Sequence, residues 1–471
     1  MTLNEIIRLL ETNQVTPIEL VLSSIEIIKA KDKAINAVVH PRFQQALLEA
    51  EKDYSKTVFK GMPILIKCLQ DLAGEPSTGA SFLLKDHIAQ RTSHFVAKLQ
   101  ELGFIVLGQT NSAEFGLKNV SDAKLYGAVN HPLDLTRSPG GSSGGAAAAL
   151  LAGYVPVVAA SDGGGSIRIP ASYCGLVGLK PTRGSMPTGP HQYRSWQGAA
   201  INFFITKTIE DAELMFESMK TNTIQAPFNY VQQPPLTKRT LKIAYNTQSP
   251  INSMVSDTSQ QAVLQTVKQL RSLGHEVIEQ APVYDGFKLM ESYYIINGAE
   301  IAALIQAIEQ SRKQPVTSAE IELTSWVLYQ YGLSLPAHNL VEALNYWDDV
   351  SEITHQFHQT YDLYLTPTTA STAMSSKATT YPEDLRIRME QITSQTDKYQ
   401  VVYDMFEDSL AQTPFTMLAN ITGQPAISLP VAQPKGYLPI GVQFMAAKGQ
   451  EALLFDLSKQ LNKASDRSIN K

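Results

Sequence analysis

Seventeen consecutive residues, Gly144 to Ala160 (GGAAAALLAGYVPVVAA), carry no charge, and a serine set among glycines stands on each side of them. Such a stretch has to be buried. It falls short of the ~20 apolar residues that cross a bilayer, and Gly153 and Pro156 interrupt it, so it reads as a buried helix, a glycine stop and a buried strand. The same helix-then-strand order precedes it: His94 to Leu102 has helical character, Gly103 stops it, and Phe104 to Leu107 is a strand-like run. This alternation predicts an α/β fold with a largely buried sheet.

Other elements follow from local patterns. Thr16-Pro17-Ile18-Glu19 is a capping box with proline at the first helical position, and Ile18, Leu22, Ile25 and Ile28 recur at helical spacing behind it. A second helix is expected near Phe43 to Asp53. Gly61-Met62-Pro63 leads into the short apolar run Ile64-Leu65-Ile66, with Lys67 at its end. Strands are expected at Leu241 to Tyr245, Glu276 to Ile278, Ala426 to Val431 and Gly441 to Phe444, with a helix over Gln260 to Leu273. Residues 288–358 look mostly helical and read as a lobe over one edge of the core. Val231 to Pro235 (VQQPP) marks a loop between halves, and 462–471, rich in Ser, Asn and Lys, a loose tail.

The length of 471 residues suits one large α/β domain or two or three smaller ones. A net charge of −5 supplies no basic field for a polyanion, so no nucleic acid partner is expected. Two cysteines, Cys68 and Cys174, make no disulfide framework and have no metal-ligand spacing, which suits a reducing cytoplasm. Met1-Thr2-Leu3-Asn4-Glu5 reads as the start of a helix and not as a secretory signal, and no membrane partner is expected.

The chemistry concentrates in Ser138-Pro139-Gly140-Gly141-Ser142-Ser143-Gly144-Gly145 and Ser161-Asp162-Gly163-Gly164-Gly165-Ser166-Ile167-Arg168. Glycines there let the backbone take positive φ and let a substrate come close to the main chain. Three in a row before Ser166 can turn successive N–H groups inward, as an oxyanion hole requires. One such loop alone would be a plain turn or a phosphate cradle, but neither G-x-x-x-x-G-K-[ST] nor a well-placed G-x-G-x-x-G occurs. A serine nucleophile needs a base. The histidines at His87, His94, His131 and His275 sit in polar surroundings that suit solvated or capping roles. Lys67 ends an apolar strand, where it either reaches water or, if buried, loses its proton easily enough to serve as a base.

At these residues the chain resembles the amidase signature family. The matching stretches are Gly61 to Lys67, Gly108-Gln109-Thr110-Asn111 with Glu114-Phe115, Gly140 to Gly145, Ser161 to Pro170 and Gly178 to Thr182. Leu365 to Thr368, Asn420 to Pro425 and Gly441-Val442-Gln443 follow in the same order. The resemblance implies one amidase signature domain over 1–471, with a central twisted mixed sheet covered by helices on both faces. It implies Ser166 as nucleophile, Ser142 as bridge after a cis Gly141-Ser142 peptide, and Lys67 as base. It further implies an oxyanion hole from the amides of Gly163, Gly164, Gly165 and Ser166, with Ser143, Asp162 and Arg168 supporting the loops. The substrate would be a small-molecule amide, hydrolysed through an acyl-enzyme to an acid plus ammonia or an amine. No metal or organic cofactor is called for, and a homodimer is left open.

Two departures stand out: the family usually has Asp where Cys68 stands and commonly Thr at Gly163. Cys68 reads as a small buried residue and not as a second nucleophile. Asp71 to Pro76 and Asp162 to Pro170 are most similar to the subgroup containing 6-aminohexanoate cyclic-dimer hydrolase, in which the residue after Glu-Phe-Gly, here Leu117, can face the substrate. Two alternatives share parts of the pattern. An amidase subunit of a tRNA-dependent amidotransferase would usually carry glutamine before Pro170, where Ile169 stands. An α/β-hydrolase esterase would fit Gly140-x-Ser142-x-Gly144, but needs a late histidine and none follows His358. Tyr193, Trp196, Tyr294, Trp326 and Tyr329 are candidates for an apolar pocket, though such spacings also suit a core.

Overall fold

Thr16 Oγ1 accepts from the Glu19 N–H at 3.3 Å while Glu19 Oε2 accepts from the Thr16 N–H at 2.8 Å, and helix Pro17–Ile35 starts behind this reciprocal cap. Val21, Ile25 and Ile28 are buried on its inner face, whereas Leu22, expected on that stripe, is exposed because Val21 takes the inward position one residue earlier. The computed structural model describes residues 1–234, 240–376, 381–431 and 436–469, with side chains up to 463.

Among the described residues eleven strands form one sheet: β1 (Val38–Pro41), β2 (Met62–Lys67), β3 (Phe104–Thr110), β4 (Val158–Asp162), β5 (Val177–Lys180), β6 (Ile201–Thr206), β7 (Lys242–Tyr245), β8 (Glu276–Glu279), β9 (Leu363–Pro367), β10 (Ala426–Val431) and β11 (Ile440–Ala446). Their order is β1-β3-β2-β4-β6-β5-β10-β11-β9-β7-β8. The sheet is mixed. β2 runs parallel to β3 and β4, and β7 parallel to β8 and β9, while the other pairs are antiparallel. Every residue of β2 and β3 is buried, which explains why both read as continuous apolar runs and not as alternating ones.

Helices flank the sheet. Gly144–Leu151 packs on β2, β3, β4 and β6, Arg168–Cys174 on β5, β10 and β11, Ile209–Met219 on β5 and β6, and Glu451–Ile469 on β10 and β11. The charge-free stretch thus folds as expected, with Gly153 at φ +83° ending its helix before β4.

The segment expected to be helical holds Gly286–Arg312, Leu323–Ser334 and Ala337–Thr360. These bury a second apolar cluster, with Tyr293, Tyr294, Val327, Trp347 and Val350 among its members, beside the sheet's own core. The expected loose tail at 462–471 is instead helical up to Ile469, because Leu453, Leu454, Leu457 and Leu461 set a buried stripe whose helix carries the following polar residues along. Its last two residues, and Pro235 of the expected VQQPP loop, lie outside the described residues.

Candidate active site

β2 and β4 are parallel neighbours, and their carboxyl ends deliver Lys67 and the segment from Ser161 to Ser166 to one place. That is the end of a parallel pair where sites usually form. Ser142 arrives from the turn before helix Gly144–Leu151, behind a cis Gly141–Ser142 peptide. Lys67 Nζ lies 2.8 Å from Ser142 Oγ, and Ser142 Oγ lies 2.9 Å from Ser166 Oγ. Exposure rises along this chain, from 0% at Lys67 through 2% at Ser142 to 6% at Ser166, whose hydroxyl reaches the cavity wall.

Burial brings the Lys67 ammonium down to about 7, against the opposing pull of the Asp162 carboxylate. A second hydroxyl meets the amine: Lys67 Nζ donates to Ser161 Oγ at 3.0 Å. The sequence reading gave Ser161 no role, since only the register of β4 shows that its side chain reaches Lys67. Gln70 ties the strands together, accepting from the Lys67 N–H at 2.9 Å and donating to Ala160 O at 3.2 Å.

The loop before Ser166 is fixed from behind. Asp162 and Arg168, both fully buried, are joined at 3.0 Å, and Arg168 also donates to Asn420 Oδ1 at 2.6 Å and Gln443 Oε1 at 2.9 Å. Burial alone would push the Asp162 carboxyl up, but Arg168 and Asn420 outweigh it and hold the group down at about 2. Ser143 Oγ donates to Ser161 O at 3.1 Å and so braces the start of the loop. Tyr293 Oη donates to Gly163 O at 3.0 Å and Thr416 Oγ1 to Gly164 O at 2.5 Å. Neither was visible in the sequence: Tyr293 sits in an apolar helix and Thr416 lies 252 residues from the loop it holds.

One expectation changes. The Gly165 N–H donates to Asp162 Oδ1 at 2.7 Å, so this amide is already bonded to a buried carboxylate. The amides of Gly163, Gly164 and Ser166 have no hydrogen-bond partner among the described residues. Glycine is required at 164 by close approach, since a Cβ there would lie 2.7 Å from Tyr293 Oη. At 163 a Cβ would meet only Ala200 Cβ at 3.6 Å, an ordinary van der Waals contact, so a side chain has room to start there.

Ser166 opens onto a cavity of about 680 Å³. Phe115, Leu117, Trp196, Tyr293 and Tyr294 line it together with Ser166. Of the other aromatic candidates, Tyr193 packs near His94, while Trp326 and Tyr329 meet edge to face with ring centroids 5.9 Å apart and do not line it. Cys68 lines the cavity too, but burial pushes its thiol up to about 12, which keeps it protonated.

Histidine supplies no base here. His131 and His275 are buried, not solvated, and bond backbone groups: His131 with Tyr173 O at 3.0 Å, His275 accepting from the Leu241 N–H at 3.2 Å. His94 meets Thr188 O at 2.7 Å. Among the described residues Ser142 and Ser166 bond to no histidine, which removes the α/β-hydrolase reading.

A mixed sheet carrying two bonded serines and a buried lysine suits hydrolysis that needs no histidine. Comparison with known proteins agrees. The profile of the family described as Amidase matches residues 19–455. The chain is 36% identical over 461 residues to lipoamidase of Enterococcus faecalis, a match over 96% of this chain and 62% of that protein, so it spans under two thirds of that relative. It is 30% identical over 473 residues to 6-aminohexanoate-cyclic-dimer hydrolase of Pseudomonas sp. (strain NK87), covering 97% of this chain and 93% of the relative. The solved structure of 6-aminohexanoate cyclic dimer hydrolase complexed with substrate superposes with a TM-score of 0.89 at 27% identity, over 98% of this chain and 97% of that one. The chain belongs to the amidase signature family and is a hydrolase of amide C–N bonds. No described helix is long and apolar enough to cross a membrane.

Proposed function

We propose that Ser166 is the nucleophile and that Lys67, acting through Ser142, is its base. The continuous line Lys67 Nζ, Ser142 Oγ, Ser166 Oγ, at 2.8 and 2.9 Å and ending on the cavity, carries this reading. Neutral Lys67 has a lone pair for the Ser142 proton, and Ser142 can take the Ser166 proton in the same movement. Ser166 Oγ then adds to the substrate carbonyl, whose oxygen meets the amides of Gly163, Gly164 and Ser166. The proton returns along the same path to the departing nitrogen, leaving an acyl-Ser166. Water repeats the sequence and frees the acid.

Residues 1–471 are read as one amidase signature domain, in a cytoplasmic enzyme whose two cysteines are buried free thiols. A homodimer is the assembly to test by sedimentation. The substrate class follows from the cavity: its volume and aromatic wall suit an aliphatic or aryl amide of moderate size. The names of the two relatives, a lipoamidase and a cyclic-dimer hydrolase, accord with that range. Screening primary, aryl and linear oligo-amides for released amine, with Ser166→Ala as control, tests the reading. Turnover by the parent alone supports it, and equal turnover by Ser166→Ala contradicts it.

A further inference from the structure

Helix Gly286–Arg312 lays one face along the cavity: Tyr293, Asn297, Glu300, Ile301 and Leu304 all line it. These positions share one side of a helix. The inner end is anchored beside the nucleophile, since Tyr293 Oη is bonded to Gly163 O at 3.0 Å. At 1.5 Å rise per residue, Asn297 stands ~6 Å and Glu300 ~10 Å further along the axis.

Two of these side chains are polar without being used by the relay. Asn297 is only 3% exposed, and its Oδ1 has no hydrogen-bond partner. Its side chain is hydrogen-bonded to Tyr293, which leaves the amide oxygen as the unpaired end. A buried acceptor in that state is destabilising, and a donor arriving with a ligand would offset the loss. Glu300 is partly exposed, accepting from Gln192 Nε2 at 3.0 Å and Gln197 Nε2 at 2.8 Å. It forms no ion pair among the described residues. No lysine or arginine among the described lining residues balances Glu300 and Asp71, so the cavity is acidic.

We propose that Asn297 and Glu300 form a subsite for a hydrogen-bond donor on the substrate, an amide N–H or an ammonium group, set about two helical turns from the nucleophile loop. It rests on Ser166 as nucleophile and adds a selectivity: amides with an ω-amino group are favoured over neutral counterparts, and those with an ω-carboxylate are disfavoured.

The test compares kcat/KM for octanamide, 8-aminooctanamide and 7-carboxyheptanamide, and for N-octylacetamide against N-(8-aminooctyl)acetamide, so that the amine lies on the acyl or the leaving side. The parent should prefer the amino member of at least one set by about tenfold, a difference of about 1.4 kcal/mol. Glu300→Gln should reduce that preference to about twofold, and Asn297→Leu should weaken it as well. Glu300→Lys should turn the preference toward 7-carboxyheptanamide, a gain that misfolding cannot imitate. No preference in the parent, or one that survives both Glu300 substitutions, overturns the subsite alone. Failure of the parent to cleave any amide would overturn the relay, and this proposal with it.

Discussion

Lys67 Nζ lies 2.8 Å from Ser142 Oγ and 3.0 Å from Ser161 Oγ, wholly buried, with no carboxylate in ion-pair contact among the described residues. Two hydroxyls are poor compensation for a buried ammonium, and burial brings the group down to about 7 from the ~10.4 of a free lysine. Above about 7 the amine is neutral and can accept a proton; below it the base is lost. The acid limb of kcat/KM should therefore bend near 7, and the logarithm of the rate should fall with a slope of about one below that. A profile flat from pH 5 to 9 would argue against a lysine base.

Lys67→Met separates catalysis from folding. Activity should drop by ~10² to 10⁴, the usual loss with a general base. Stability should hold or rise. In the parent, the unfolded lysine stays protonated up to about pH 10.4 while the folded one is neutral above about 7, so stability is lost as pH falls through that window. The gain from methionine should then be largest on the acid side, and urea midpoints at pH 6 and 9 would measure it.

Ser142 and Ser143 are adjacent and look alike in sequence, yet only Ser142 is bonded to both Lys67 and Ser166. Ser143 bonds Ser161 O instead. Ser142→Ala should cost ~10² to 10⁴ in single-turnover acylation, whereas Ser143→Ala removes a supporting hydrogen bond of roughly 1 kcal/mol, under tenfold. Equal losses in two variants with parent-like circular dichroism would put the bridge elsewhere.

The glycine run can be tested residue by residue. Gly163→Ala should keep activity within about threefold, because its new methyl group meets only Ala200 at van der Waals distance. Gly164→Ala would press against Tyr293 Oη at 2.7 Å and displace the amide offered to the oxyanion, with a loss of ~10² or more. Steady-state kinetics of the two variants on one aryl amide gives the comparison.

Much of this was legible in the sequence where local patterns decide. The Thr16 capping box, the buried runs at β2, β3 and β10, and the helix and strand within Gly144 to Ala160 are each set by neighbours a few residues apart. The lysine and two serines were legible through motif order, and the structure brings all three together. What could not be read depends on long-range pairing. Ser161 reaches Lys67 only through the register of β4 beside β2, and Tyr293 touches Gly163 only because helix Gly286–Arg312 packs over it. The use of the Gly165 N–H on Asp162 is a matter of which way one peptide plane faces, and composition holds no trace of it.

The central claim is that Ser166, and no other residue of the cavity, becomes acylated. A fluorophosphonate probe reacts with a hydroxyl that is both deprotonated by its relay and faced by oxyanion donors. Intact mass should show one adduct per chain, peptide mapping should place it on Ser166, and Lys67→Met and Ser142→Ala should label far more slowly. An adduct on Ser142 or Cys68, or undiminished labelling of Ser166→Ala, would contradict the assignment.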